Sequence, residues 1–276
     1  MLARRCLQSR AFAHSAIVRI AHQRAGGTFS LSPVANRGRG LSTAVVETTT
    51  TTEDESDSAK SIGCWDHPQF QKVLTEKDAF DVASLVSVKQ LFDARVHLGH
   101  KTTTLNPFMQ PYLFGSRFDH LIIDLDQTKE HMIDALNFVG HIAYRDGIIL
   151  FMTRHHQTAH KVEKVAQECQ EFAHTRGWRK GLLTNSVNLF GSETRLPDCI
   201  LLFSTTNCDD ALVESSRMLI PTVGIVDTDS DPRFICYPVP GNDDSPSAVS
   251  LYCHLFKTVI LRARERRKRD IAAGLL

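Results

Sequence analysis

The first candidates for chemistry in this 276-residue sequence are three aspartates at alternate positions. Asp227, Asp229 and Asp231 alternate with other residues, as the first ligands of a calcium-binding loop do. The sixth and twelfth positions of such a loop need Gly and Glu, but here they are Pro232 and Pro238. The three carboxylates could still hold Mg²⁺, although acids in this arrangement more often accept backbone hydrogen bonds in turns.

Two histidine pairs are the next candidates. His156 and His160 lie one helical turn apart, but a zinc-protease motif needs Glu directly after the first His, and Gln157 stands there. We therefore interpret this pair as part of a polar helix face. His97 and His100 flank a glycine at the end of a predicted helix, where they could support a turn or contact phosphate. They do not make a catalytic group.

The sequence lacks the other common catalytic motifs. No glycine-rich phosphate loop follows a predicted strand, and neither Gly-Lys-Ser/Thr nor Gly-x-Ser-x-Gly occurs. Three segments instead mix basic, amide and small residues: 97–112, 177–185 and 227–244. Such side chains and backbone N–H groups position proteins on a sugar–phosphate backbone. We therefore expect no catalytic residue, metal or cofactor, and nucleic acid is a candidate partner.

The composition is that of a globular protein, with 42% hydrophobic and 23% charged residues. Seven cysteines, widely spaced and without a Cys-x-x-Cys pair, argue against a disulfide framework and against a zinc ribbon. No run of 18 apolar residues occurs, so we expect no membrane span.

The formal net charge of +1 conceals strongly polarised ends. Seven arginines and no acid precede Glu47, so the rest of the chain carries −6. Residues 1–41 are rich in Arg, Ser and Ala, which is typical of a mitochondrial transit peptide. The alternative is a basic disordered arm that binds nucleic acid. We favour the transit peptide, because Lys is absent and apolar residues lie among the arginines, and we expect a location in the mitochondrial matrix.

The segments that flank the central region differ in composition. Residues 42–60 are acidic and rich in Thr, which predicts a disordered linker. Residues 61–86 regain apolar side chains and are predicted to be an N-terminal extension that packs either on the domain or on a neighbour. Residues 263–276 are predicted to be a basic C-terminal tail. The cations from Arg262 to Arg269 form either a solvated helix end, favoured by the helix dipole, or phosphate contacts.

Helix and strand patterns alternate through residues 87–262. A helix is predicted to start at the Ser87–Gln90 capping box and to end at Gly99. Apolar strands are predicted at 120–124, 148–152, 199–203 and 222–226, and a last helix from Pro246 to about 264. Strands that are apolar throughout predict a parallel sheet covered on both faces, hence a doubly wound α/β sandwich. Sites in such folds lie beyond the carboxyl ends of the strands.

Several short motifs follow one another in a recognisable order. They are Val96-His-Leu-Gly-His100, Asn106-Pro, Met109-x-Pro-Tyr-x-Phe-Gly115, Gly181-Leu-Leu-Thr-Asn185, Leu196-Pro-Asp198, Ile225-Val-Asp-Thr228 and Pro238-Val-Pro-Gly-Asn-Asp-Asp244. From about Val88 to Ile260 the sequence therefore resembles the universal S-two family of small-subunit ribosomal proteins, in its bacterial and organellar branch. The predicted transit peptide points to the mitochondrial members of that family.

This resemblance implies a flavodoxin-like three-layer α/β sandwich with a parallel sheet and without catalytic activity. The implied partners are small-subunit mitochondrial rRNA and other small-subunit ribosomal proteins, with no membrane and no small-molecule substrate. His97, His100 and Lys101 would lie in a loop near RNA, and Asn106 would brace the turn before Pro107.

The sequence departs from the family pattern at two places. Bacterial members insert a long helical hairpin between the Leu-Thr-Asn and Leu-Pro-Asp motifs, whereas only ten residues, 186–195, separate them here. We therefore expect the coiled-coil hairpin to be missing. The family usually has Arg-Trp-x-Gly-Gly where this chain has Gly177-Trp-Arg-Lys-Gly181. Arg179 and Lys180 add charge there and could supply new phosphate contacts.

The sequence thus predicts a structural constituent of the mitochondrial small ribosomal subunit that supports assembly and translation. The predicted RNA contacts are His97, His100, Lys101, Arg117, Arg154, Arg179, Lys180, Asn185, Arg262, Arg266, Arg267, Lys268 and Arg269. Two other hypotheses stay open. One is an enzyme of flavodoxin-like fold that uses the strand-end acids with Mg²⁺. The other is a matrix interaction protein whose acidic segment binds basic partners.

Overall fold

The structure, a computed structural model, describes residues 68–191 and 194–275. The predicted transit peptide (1–41), the predicted linker (42–60) and the first part of the predicted extension (61–67) lie outside these residues. The described helices are α1 (Pro68–Thr75), α2 (Val88–Asp93), α3 (Leu125–Tyr144), α4 (His156–Glu168), α5 (Ser186–Phe190), α6 (Asp209–Arg217) and α7 (Pro246–Ala272).

The strands form two sheets. They are β1 (Leu98–Lys101), β2 (Leu113–Arg117), β3 (His120–Ile123), β4 (Ile149–Met152), β5 (Phe172–His174), β6 (Cys199–Leu202), β7 (Thr222–Val226) and β8 (Tyr237–Pro240). The first three strands make an antiparallel sheet in the order β1-β3-β2, and the other five make a parallel sheet in the order β5-β4-β6-β7-β8. Short 3₁₀ turns span Thr102–Thr104, Pro107–Tyr112 and Pro232–Phe234.

The parallel sheet confirms the predicted fold class. Counted along the chain within this sheet, its strands lie in the order 2-1-3-4-5, which is that of flavodoxin-like folds. Phe151 and Leu201 face a core shared with α3, α4 and α7, whereas Met152 and Leu202 face a second core shared with α6. Because both faces are covered, every position of β6 and β7 is buried, and this explains their continuous apolar sequences.

One predicted strand belongs elsewhere. Residues 120–124 were expected in the parallel sheet, but β3 is the central strand of the antiparallel sheet. Leu121 and Ile123 are buried while His120 is exposed, an alternation suited to a sheet with one solvated face. Two strands of the parallel sheet, β5 and β8, were not predicted. The two prolines of β8 argue against a strand in the sequence, but they are tolerated because β8 is an edge strand.

The helix predicted to end at Gly99 is shorter than expected. α2 ends at Asp93, and Arg95 adopts a left-handed conformation with φ of 63° just beyond it. Ser87 is the N-cap residue, but its side chain makes no capping hydrogen bond. Gly99 lies inside β1, where a Cβ atom would lie only 2.5 Å from Cγ2 of Thr228. The glycine therefore permits close approach of two chain segments and does not end a helix.

The described part of the predicted N-terminal extension packs on the domain. Phe70, Val73, Phe80, Val82 and Val86 are buried in the same core as α3 and α7. Of the two predicted alternatives, residues 68–86 therefore follow the one in which the extension packs on the domain.

The last helix runs past its predicted end near residue 264. α7 continues to Ala272, and so crosses the proposed boundary between domain and tail without a break. Ser245 and Pro246 begin it as predicted, although the Ser245 side chain makes no capping hydrogen bond. No helix within the described residues is both long and apolar enough to cross a membrane.

We expect the extension to contribute strongly to stability. Truncating Phe80 to Ala leaves a cavity against α3, where its ring meets His141 edge-on with centroids 5.1 Å apart, so the free energy of unfolding should fall by about 3–5 kcal/mol. Leu74→Ala in the same segment, at a side chain that is 48% exposed, should change it by about 0.5 kcal/mol or less. Urea denaturation of both variants tests this, and equal losses would contradict the packing.

Candidate nucleic-acid interface

The antiparallel sheet is fixed to the carboxyl edge of the parallel sheet by backbone and hydroxyl contacts. The amide of His100 donates to Oγ1 of Thr228 at 2.9 Å, and the amide of Asn106 donates to the carbonyl of Thr228 at 2.9 Å. The amide of Asn242 donates to the carbonyl of Val96 at 3.1 Å. These contacts place the segment of His97, His100 and Lys101 in the fold. The resemblance implied a loop near RNA here, but His100 and Lys101 lie in strand β1. Asn106 was expected to brace the turn before Pro107, but it caps the 3₁₀ turn that begins at Pro107, since its Oδ1 accepts from the amide of Phe108 at 3.1 Å.

The imidazole of His100 forms two ion pairs inside the chain. Its Nδ1 lies 3.2 Å from Asp227 Oδ2 and its Nε2 lies 3.2 Å from Asp244 Oδ2. The hydrogen bond to Asp227 and the charges of Asp227, Asp229 and Asp244 outweigh partial burial and raise the pKa of His100 to about 9. The ring is therefore a cation at neutral pH, and both of its N–H groups are engaged by carboxylates. This geometry does not support His100 as a phosphate contact.

His97 is also held within the domain. Its ring stacks on that of Phe92, with centroids 4.5 Å apart and an interplanar angle of 6°. Partial burial lowers the pKa of His97, which favours the neutral form at neutral pH. An uncharged, stacked imidazole is a weak partner for phosphate.

A row of exposed basic residues crosses the antiparallel sheet. Lys101 of β1 and Arg117 of β2 both pair in register with His120 of the central strand β3. All three are exposed, and neither Lys101 nor Arg117 forms an ion pair with a described residue. We name Lys101, Arg117 and His120 the basic row. His120 was missed in the sequence because only strand pairing brings it between the two predicted cations.

An exposed aromatic side chain, Phe118, lies beside the basic row, and Phe114 is exposed on the same strand as Arg117. Phe114 and Phe118 are 79% and 85% exposed, and the guanidinium of Arg117 lies 5.4 Å from the ring centroid of Phe118. Phe118 helps to line a groove of about 750 Å³ together with the basic row. Aromatic rings beside cations are suited to unpaired RNA, whose bases stack on aromatic side chains. Neither phenylalanine is recognisable as a site residue from the sequence, since an apolar residue carries no sign of exposure.

Residues 177–185 are the second of the three segments that mix basic, amide and small residues, and we call them the second loop. They carry exposed cations, and hydrogen bonds hold their backbone in place. Arg179 and Lys180 are exposed, and Lys180 pairs with Asp210 at 3.3 Å in a solvent-exposed contact of small energetic value. Nη1 of Arg154 donates to the carbonyl of Arg176 at 3.4 Å. Asn185 accepts a hydrogen bond from Asn188 at 2.7 Å. Among the predicted contacts in this loop, Arg179 is thus an exposed cation without an ion-pair partner among the described residues.

Glu214 of α6 positions this loop. Its carboxylate is buried, with the residue only 6% exposed. It accepts from the amide of Gly181 at 2.5 Å and from the amide of Leu183 at 3.0 Å. A buried acid that binds two loop amides was not found in the sequence, because its partners lie over 30 positions away.

Most of the C-terminal cations bind the protein's own backbone. Arg262 donates to the carbonyls of Phe80 and Asp81, at 3.2 and 3.1 Å, and Arg266 donates to that of Ala79 at 2.5 Å. Arg267 donates to the carbonyl of Tyr144 at 2.9 Å. These three predicted RNA contacts therefore tie α7 to the extension and to the end of α3.

Two cations of this cluster remain exposed. Lys268 and Arg269 form no ion pair with a described residue, so only these two keep geometry suited to phosphate.

The acidic loop does not form a single carboxylate site. Asp231 accepts from the amide of Arg233 at 3.0 Å and pairs with its guanidinium at 2.8 Å, as the turn interpretation predicted. Asp229 accepts from the Ser230 hydroxyl at 3.1 Å. Only Asp227 turns toward His100. The hypothesis that these three acids jointly hold Mg²⁺ is therefore wrong.

A different group of polar side chains meets at the same edge. Asp244 bridges two histidines, since its Oδ1 lies 3.1 Å from Nε2 of His155 while its Oδ2 faces His100. Asp243 beside it is buried, with 1% of the residue exposed. Burial and the nearby Asp227 raise the pKa of Asp243 to about 7. His156 and His160, by contrast, are exposed on α4, as expected of a polar helix face.

The fold is that of an α/β protein with flavodoxin-like strand order, and comparison with known proteins gives its family. Residues 91–196 and 186–263 match the family described as ribosomal protein S2. The chain is 47% identical over 238 residues to the small ribosomal subunit protein uS2m of Bos taurus, covering 85% of this chain and 79% of that protein. It is 33% identical over 224 residues to the small ribosomal subunit protein uS2 of Rickettsia bellii (strain OSU 85-389), covering 65% and 77%. The chain belongs to the ribosomal protein S2 family.

The two matched ranges overlap at residues 186–196. This is the segment where the sequence predicts that the bacterial hairpin is missing. Its described residues hold one helix of five residues, α5.

Glu214 offers a direct test of how the second loop is held. Glu214→Ala removes the acceptor of two amides and should cost about 1–3 kcal/mol of stability. It should also speed hydrogen exchange at the amides of Gly181 and Leu183. Glu214→Gln keeps the shape and one acceptor oxygen and should have a smaller effect. Unchanged exchange at both amides in Glu214→Ala would contradict the assignment.

Proposed function

We propose that this protein is a structural constituent of the mitochondrial small ribosomal subunit, in the matrix, where it supports subunit assembly and mitochondrial translation. Membership of the ribosomal protein S2 family and 47% identity to the bovine mitochondrial protein support this role. So does the N-terminal segment with seven arginines and no acid before Glu47, which has the composition of a transit peptide. The chain acts by binding and not by catalysis.

The basic row is the observation that carries the proposed RNA contact. Lys101 and Arg117 lie on β1 and β2, the two strands that flank β3. Both side chains are exposed, and neither has an ion-pair partner among the described residues. The sheet holds their backbones at a fixed spacing, so little backbone freedom is lost when they bind phosphates. Arg179, Lys268 and Arg269 are secondary contacts by the same criteria of charge and exposure.

The contact with RNA is local. The chain from Glu47 onward carries a net charge of −6, which disfavours broad attachment to a polyanion. Binding therefore depends on the few exposed cations of the antiparallel sheet, the second loop and the end of α7.

Other small-subunit proteins are the second class of partner. Val213 lies within α6 and is 44% exposed, and Met218 and Leu219, just beyond the end of that helix, are 37% and 89% exposed. An apolar surface of this kind is suited to contact with a neighbouring protein.

Sedimentation tests the proposed function as a whole. The tagged full chain, expressed in cells as their only copy, should migrate with the small subunit in a gradient of mitochondrial lysate and should remain there after a moderate-salt wash. Migration only with low-mass proteins would overturn the proposal.

Charge reversal tests the assigned contacts separately. Lys101→Glu with Arg117→Glu should reduce co-migration with the small subunit strongly, and Arg179→Glu with Lys180→Glu should reduce it less, because Lys180 already faces Asp210. Lys89→Glu with Lys164→Glu makes the same change in charge at exposed lysines of α2 and α4 and should have no effect. If all three variants behave as the unmodified chain does, the contact residues are wrong even though the protein is ribosomal.

The salt dependence of binding counts the phosphate contacts. On a single-stranded transcript of small-subunit rRNA, the log–log slope of affinity against salt changes by about 0.7 for each phosphate contact. Lys101→Ala with Arg117→Ala should therefore reduce the magnitude of the slope by about 1.4, whereas Lys89→Ala with Lys164→Ala should leave it unchanged. An unaltered slope in the first variant would remove the basic row from the interface.

A further inference from the structure

The antiparallel sheet presents an uncovered apolar surface beside the basic row. In the register of its strands, Leu98 and Gly115 both pair with Ile122, so these three residues share one face of the sheet. Leu98 is 41% exposed, Gly115 is exposed and Ile122 is half-buried. The basic row lies on the same face, because His120 precedes Ile122 by two residues and the side chains of a strand alternate between faces. This face therefore combines a small apolar surface with three basic side chains.

Phe118 lies at the edge of this face in an unfavourable backbone conformation. Phe118 and Asp119 are the two residues of the hairpin turn that joins β2 to β3, and their φ angles are 49° and 62°. Two positive φ angles are those of a type I′ turn, which favours Asn and Gly. A bulky residue with positive φ is strained, and burial does not compensate for this, since the side chain is 85% exposed. The packing of the chain therefore gives no reason for an aromatic residue at this position.

The surroundings of Phe118 determine which ligand its ring fits. Phe118, Leu98 and Ile122 line the groove together with the basic row. The guanidinium of Arg117 lies 5.4 Å from the ring centroid of Phe118, so positive charge and an aromatic face are adjacent. A ligand that matches both needs negative charge next to a flat ring, as a nucleotide has. Only an unpaired base can offer its face to Phe118, because the bases of a duplex are stacked on one another.

Two carboxylates also line the groove, but they are paired within the chain. Asp227 and Asp244 both form ion pairs with the imidazole of His100. Lys101 and Arg117, by contrast, have no ion-pair partner among the described residues. The unpaired charge of the groove is therefore positive and complements a phosphate.

We propose that this groove binds unpaired RNA, with one base stacked on Phe118 and the adjacent phosphates bound by Lys101 and Arg117. The inference rests on the proposed RNA contact and specifies the kind of RNA that the site accepts. Stacking on an aromatic ring depends little on which base is stacked. We therefore expect a preference for single strands and little preference for sequence.

Binding of short RNAs to the purified full chain tests the stacking. One labelled probe is an oligonucleotide of uridines, and the other has the same length and phosphates but abasic riboses. By fluorescence anisotropy, the uridine probe should bind about fivefold more tightly or better, since a stacked base contributes at least that much. Phe118→Ala should remove most of this difference. Lys101→Ala with Arg117→Ala should instead weaken the binding of both probes.

A second variant separates loss of the ring from loss of the fold. Because Asn is favoured in a type I′ turn, Phe118→Asn should be at least as stable as the unmodified chain in urea denaturation. It should nevertheless bind the uridine probe about fivefold more weakly or worse. Phe234→Ala is the matched control, since this ring is 58% exposed but does not line the groove. It should bind both probes as the unmodified chain does.

Each contrary outcome has a distinct meaning. Equal affinity of the unmodified chain for the two probes, or equal affinity of Phe118→Asn and the unmodified chain for the uridine probe, would overturn the stacking and leave the phosphate contacts in place. If Phe118→Ala reduced co-migration with the small subunit without weakening the binding of uridines, the ring would contact a protein and not a base. Absence of binding to both probes would overturn this inference even if the unmodified chain sediments with the small subunit, which is the separate test of the proposed function.

Discussion

Buried carboxylates at the carboxyl edge of the parallel sheet are the constraint on which the rest of the structure depends. Asp227 is 1% exposed, and a charge so buried needs a partner. His100 supplies it from the antiparallel sheet and also reaches Asp244. Because Gly99 has no side chain, β1 can approach Thr228 closely enough for this pairing. The ion pairs thus act together with the backbone and hydroxyl contacts to Thr228 and Asn242 to place the antiparallel sheet, and with it the basic row, on the parallel sheet.

The C-terminal helix illustrates a second use of positive charge. Its arginines satisfy backbone carbonyls at the ends of other elements, and Arg264 also binds the carboxylate of Glu171. Arg262 and Arg266 reach the backbone of residues 79–81, where the side chains of Ala79 and Phe80 already lie in or against the core. The inner cations of this cluster therefore stabilise the fold, whereas Lys268 and Arg269 are exposed to solvent.

Much of the fold could be predicted because burial on both faces leaves a direct trace in the sequence. Strands β6 and β7 are continuous apolar runs and lie where they were expected. β5 has three residues and β8 has two prolines, so neither is recognisable as a continuous apolar run. The site was harder to predict. Lys101 and Arg117 were found by charge, but His120 joins them only through strand pairing, and Glu214 only through contacts with a distant loop.

The sequence by itself determined the family, the fold class, the basic N-terminal segment and the short connection at 186–195, because motif order, apolar periodicity and charge are local properties. Only the tertiary structure decided which charges are free. His100, Arg262, Arg266 and Arg267 have the right charge for phosphate, yet each is bound inside the chain. It also separated Asp227 from Asp229 and Asp231 and gathered His155, Asp243 and Asp244 instead. The physical reason is that ion pairing and hydrogen bonding depend on distance in space, which chain spacing does not specify.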